Sequence, residues 1–139
     1  MRASEVRAAI VTAIEAITPD GQAGGRDALK HVDMQGREVH GAPDRRFRVA
    51  MARIPRRADL ATMDAFISEN TIEVFYTAAP GVDDRVAGDC ERIVDALLTL
   101  HATASDIMRV DIEPGSVAED DSLVVARIDV ATLYRLTGV

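Results

Sequence analysis

Residues 123–136 read LVVARIDVATLYRL, and the even positions (Val124, Ala126, Ile128, Val130, Thr132, Tyr134, Leu136) are apolar or nearly so. A two-residue period of this kind predicts a strand with one buried face. Its other face is polar in the middle, at Arg127 and Asp129, and again only at Arg135 near the end. Near the start, Val6, Ile10, Ala13, Ile14 and Ile17 recur at helical spacing and predict a helix from about Ser4, a favourable N-cap residue. TPDG at 18–21 ends it, because Pro19 restricts Thr18 and Gly21 supplies a turn.

Three more stretches alternate: RRFRVAMARI (45–54), TIEVFYT (71–77) and IMRVDIE (107–113). Between the last two, Val86, Cys90, Ile93, Leu97 and Leu100 predict a second amphipathic helix, with Asp83 and Asp84 at its start and His101 near its end. Leu60, Met63, Phe66 and Ile67 suggest a short helix between Pro55 and Asn70, and PGSVAEDDS (114–122) reads as a turn-rich connection. Residues 18–45 hold no sustained period and predict a long loop, with room for a short hairpin. The expected fold is α+β, in the order α-β-(short α)-β-α-β-β. It is a mainly antiparallel four-stranded sheet with two main helices packed on one face, in a single domain spanning 1–139.

The last strand is too long for that picture. Fourteen extended residues span about 47 Å, whereas a compact chain of this length forms a globule roughly 35–40 Å across. A third strand of seven residues cannot pair all of it. The expectation is an unpaired apolar edge that a neighbouring subunit covers, the alternative being a bend or bulge that returns the strand to its own domain.

Composition narrows the classes. With 139 residues, 47% hydrophobic and 28% charged, the chain has the make-up of a soluble globular protein. Only five residues are aromatic, so Val, Ile, Leu, Ala and Met must build the core. The single cysteine, Cys90, excludes an internal disulfide, and no apolar run reaches the length of a membrane span. Glu5 and Glu15 bracket the apolar AAIVTAI, which argues against a signal peptide and for a protein kept inside a cell or inside something assembled there. The net charge of −7 is unevenly placed: residues 37–57 carry seven arginines against two acids, residues 58–139 five against sixteen. Such asymmetry marks either an acidic or nucleic-acid partner, or two complementary surfaces on one subunit.

Candidate chemistry is sparse. Cys90 lies on an apolar stripe with no adjacent base and reads as a structural thiol. His31, His40 and His101 match no zinc spacing, GQAGG (21–25) lacks the lysine end of a phosphate loop, and EDD (119–121) with Glu113 lacks a calcium-loop spacing. No nucleophile, base and orienting group can be assembled, so no enzyme, cofactor or metal site is expected. The cluster Arg45, Arg46, Arg48, Arg53, Arg56 and Arg57 is interleaved with one aromatic, Phe47, and suits an acidic protein surface better than a read nucleic-acid sequence.

Residues TIEVFYT, GVDDRVAGDCERIVDALLTLH and the closing pair IMRVDIEPG…LVVARIDVATLYRL, with the first helix and the Arg-rich strand, resemble the tail terminator (tail completion) proteins of long-tailed bacteriophages and gene transfer particles. The resemblance covers residues 3–17 and 45–137. It implies a virion protein that forms a ring of six copies on the head-proximal end of the tail tube, stops tube polymerisation and docks the head connector. Its partners are then its own copies, the major tail tube protein and the connector or stopper, with DNA merely passing through the lumen and no membrane involved. The alternative within that setting is a neck or stopper protein, and outside it a small cytoplasmic ligand-binding domain or enzyme. Candidate interface residues are Arg45, Arg46 and Arg48 on a basic side, Glu119, Asp120 and Asp121 on an acidic side, and Arg127 and Asp129 on the last strand.

Overall fold

The structure, a computed structural model, describes residues 1–17, 29–32, 45–59, 64–120 and 122–136. Helix α1 (Ala3–Glu15) buries Val6, Ile10 and Ile14, as their spacing predicts. Its N-cap is Arg2, not Ser4. Glu5 Oε1 accepts the Arg2 backbone N–H at 3.3 Å, and the Arg2 carbonyl accepts the Val6 N–H at 3.1 Å. Backbone pairing and a reaching glutamate therefore cap the helix without a hydroxyl.

Five strands form one sheet among the described residues, in the order β1-β2-β3-β5-β4. These are β1 (Lys30–His31), β2 (Arg46–Arg57), β3 (Ala65–Thr77), β4 (Ile107–Asp120) and β5 (Leu123–Arg135). β1 runs parallel to the start of β2, with Lys30 opposite Arg46 and His31 opposite Phe47, and every other neighbouring pair is antiparallel. The α+β class and the mainly antiparallel sheet therefore hold. The four-strand arrangement does not: the expected loop contributes an edge bridge, which no hairpin reading anticipated.

Two helices follow β3: α2 (Val82–Leu98) and the one-turn α3 (Leu100–Thr103). Gly81 caps α2 in the left-handed region at φ 82°, where a side chain would be strained, and Asp83 and Asp84 occupy the first turn where the helix dipole favours acids. Val86, Ile93 and Leu97 from α2 join Val6, Ile10 and Ile14 from α1 in one core. There they meet Phe47 and Val49 of β2, Ile72, Val74 and Tyr76 of β3, and Val124, Ala126, Ile128 and Val130 of β5. Even-numbered β5 positions are thus the buried face, as the alternation required.

Two expectations fail, both from reading strands as too short. The short helix over 55–70 does not form: β2 continues to Arg57, and Ala65–Asn70 is strand. Helical spacing there loses to pairing on both sides, since Phe66 faces Arg57 on β2 and Tyr134 on β5; Leu60 and Met63 lie outside the described residues. The connection PGSVAEDDS likewise extends β4 to Asp120. Pro114 and Gly115 are absorbed as a register shift between Pro114 and Val117, on an edge strand where a missing N–H is tolerated.

These extensions overturn the argument for an uncovered last strand. β5 is an interior strand: β3 pairs it from Leu123 to Arg135, and β4 pairs it from Leu123 to Tyr134. No neighbouring chain is needed to shelter it. The length problem belongs to the whole sheet, because 13 residues of strand extend about 44 Å while the 17 residues of α2 cover about 26 Å.

Candidate assembly surfaces

The face of the sheet away from the helices is built from the alternate residues. Arg48 of β2, Glu73 of β3 and Arg127 of β5 lie side by side across three strands. Glu73 pairs with Arg48 and, at 2.9 Å, with Arg127. Burial pushes the Glu73 carboxyl up, but the hydrogen bonds from Arg127 and then Arg48 outweigh it and hold the group below its usual value. One register step along, the Thr71 hydroxyl donates to Asp129 at 2.8 Å. The polar middle of the last strand is therefore a cross-strand ladder that stitches three strands together. Arg127 and Asp129 sit on this open face as expected, already engaged within the chain.

Arg45 is a correction. The sequence reading put it on a basic interface, yet it is 3% exposed and forms a two-pronged pair with Asp89, Nε to Oδ2 at 3.1 Å and Nη2 to Oδ1 at 2.8 Å. The Tyr76 hydroxyl donates to the same Asp89 Oδ2 at 2.9 Å. Desolvation, then the neighbouring Asp89 charge, pushes the Tyr76 phenol far up. Arg45 has φ 57°, a left-handed conformation unusual for a side-chain-bearing residue. Its N–H donates to the Phe75 carbonyl at 2.7 Å and its carbonyl accepts from Lys30 at 3.1 Å, so backbone and guanidinium together hold the strained turn that opens β2.

Asp89 and Tyr76 were missed as a site, although one signal was present. Asp89 sits three residues after Val86 and four before Ile93, at a place in the helical stripe where an apolar residue is expected. A fully buried acid there demands a buried partner. Because Asp89 takes the inward position, Cys90 turns toward the rim and is only half-buried. Burial, and secondarily Asp89, pushes its thiol up to about 11, in keeping with an inert thiol.

The remaining candidates are scattered. Arg46 is half-buried and opposite Phe75. Glu119 is exposed and pairs with Val124 in register near the β4–β5 turn, Asp120 ends β4, and Asp121 lies outside the described residues, as does His40. Among the described residues no group of histidines, cysteines or acids is arranged to hold a metal ion, and no helix is long and apolar enough to cross a membrane.

Two surfaces stand out in their place. The distal half of β2 is exposed from Met51 to Ile54, and Arg56 and Arg57 follow. The whole strand carries five arginines and no acid. At the opposite end of the sheet, α2 and β4 enclose an apolar groove of about 950 Å³. Cys90, Val94 and Leu98 form its helical wall, and Val110, Ile112 and Val117 its strand wall. Asp83, Glu91 and Asp111 line it as well. α2 carries five acids against two arginines, and β4 four against one. The two ends of one sheet thus have opposite charge.

Comparison of the sequence with models of known families gives no match, and neither does comparison with curated proteins.

Proposed function

We propose that this chain is the subunit of a ring that caps the head-proximal end of the tail tube of a long-tailed phage or gene transfer particle, halting tube growth and presenting a docking surface to the head connector. One observation carries the reading: a basic strand lies near one end of the sheet and an acidic, groove-bearing helix and strand at the other. A subunit with unlike, complementary ends associates head to tail, and such contacts close into rings when the rotation between copies allows it. The resemblance in the strands and in α2 supplies the particular ring. The major tail tube protein, the connector and further copies of the chain are the partners under this reading, and the virion is its location. The exposed acid Glu119, with Asp120 and Asp121 after it in sequence, suits a lumen through which DNA passes without sticking.

The test is electron microscopy of particles assembled with and without the protein. Loss of a terminator yields tails of uncontrolled, excess length. Tails of normal length beside detached heads would assign the chain to the connector instead, and unaltered particles would end both readings.

A further inference from the structure

Four large apolar side chains stand exposed among the described residues, and they fall in two places: Met51 (61%) and Ile54 (82%) on the distal half of β2, Leu98 (48%) and Val117 (59%) on facing walls of the α2–β4 groove. Apolar surface concentrated in this way marks contact sites more than scattered single residues do. The surroundings match in sign as well. Arg53, Arg56 and Arg57 flank the β2 pair, whereas the groove is lined by three acids, Asp83, Glu91 and Asp111, against one arginine, Arg127, with Asp111 also held by Arg109 at 2.9 Å. Some of the arginine charge is answered locally, since Arg53 and Arg56 reach Glu69 and Arg57 reaches Asp64 at 2.8 Å. Those pairs are largely exposed and weakly held, so they leave the strand free to exchange partners.

The two places cannot meet within one chain. β2 is second from one edge of the sheet, and β4 forms the other edge with β3 and β5 between them. β1 pairs only Arg46 and Phe47, and the Arg7 side chain of α1 donates to the Val49 carbonyl at 2.8 Å, so from Met51 onward β2 has no strand paired on its outer side among the described residues. From this we infer that the groove between α2 and β4 receives the distal half of β2 from a second copy of this chain, with Ile54 and Met51 seated between Leu98 and Val117 and the arginines against the groove acids. This contact rests on the ring reading for its closure but not for its existence. It is heterologous: every copy donates a strand at one end and accepts one at the other.

Thiol cross-linking tests it. In a Cys90→Ser background, one variant carries Ile54→Cys and another Val117→Cys, both at exposed positions that leave the core untouched. Each alone should give little disulfide under copper–phenanthroline oxidation, and their mixture should give a linked dimer. A chain bearing both substitutions should give a ladder of multimers that ends at a discrete size, the closed ring. Light scattering provides a second reading: Ile54→Asp and Leu98→Arg should each shift the assembled species toward monomer, with circular dichroism unchanged. Absence of a mixture-specific dimer, or a double variant that stops at dimers, overturns the inference. Failure here is distinguishable from failure of the terminator reading: a ladder from a chain whose loss leaves tail length normal keeps the contact and removes the terminator. Overlong tails without any 54–117 link do the reverse.

Discussion

The carbonyl oxygen of Arg127 lies only 1.8 Å from where a Cβ on Gly115 would stand. The obstruction is backbone, in the interior strand β5, and cannot swing aside as a side chain does. Gly115 therefore lets β4 pass its register shift against β5 and continue to Asp120, which completes the cover of β5 and the strand wall of the groove. Gly115→Ala should destabilise the protein by about 3 kcal/mol, at the upper end for overpacking. Urea unfolding measures this, and a loss under about 1 kcal/mol would show that β4 yields easily.

The buried trio separates two costs. Asp89→Asn leaves the Arg45 charge buried without its counter-charge and should cost about 3–5 kcal/mol. Tyr76→Phe removes one hydrogen bond to the same carboxylate and should cost about 1–1.5 kcal/mol. If denaturant melts find the two equal, the Arg45–Asp89 pair is not what holds the opening of β2 to α2.

Acid stability should report on Glu73. Its carboxyl is held below the usual 4.5 despite burial, so near that pH the unfolded chain binds more protons than the folded one and stability rises with pH. The ladder's contribution is complete above the ordinary glutamate value and lost as pH falls through the folded one. Glu73→Gln should therefore flatten the acid limb of a stability-versus-pH curve below about pH 4.5. High salt should shrink the difference, because both arginine partners reach solvent. Parallel acid limbs in the variant and the parent protein would refute the assignment.

Cys90 should alkylate slowly. With its thiol at about 11 in place of the usual 9.0, the thiolate fraction near pH 8 is roughly 100-fold below that of a free cysteine. Iodoacetamide kinetics followed by mass spectrometry would reveal this. A rate matching that of a free thiol would mean that the groove wall is open and wet. The same raised value means that the half-buried, protonated thiol contributes stability below pH 9.0 that is lost as pH climbs toward 11.

Local periodicity carried α1, α2 and the alternation of β5 directly, because a helical stripe or a two-residue alternation is written in neighbouring residues and needs only a core to face. Val6, Ile10 and Ile14, or Val124, Ala126, Ile128 and Val130, could be assigned to the inside without knowing what lay opposite. The two main charge groupings were legible for the same reason, since composition along a segment survives folding. What Arg45 does with its charge was not.

Tertiary structure alone decided how far the strands run and which charges are spent internally. A ladder hydrogen bond joins residues distant in sequence, so nothing near Pro114 announces that β5 will carry β4 on to Asp120, and nothing near Phe66 reveals strands on both flanks. The place of Asp89 in the apolar stripe of α2 hints at burial, but only the fold shows that Arg45 and Tyr76 are the groups set around it. The exposed pair on β2 and the groove beyond α2 likewise become one relationship only when the sheet places them at its opposite ends, because complementarity between surfaces is a property of positions in space.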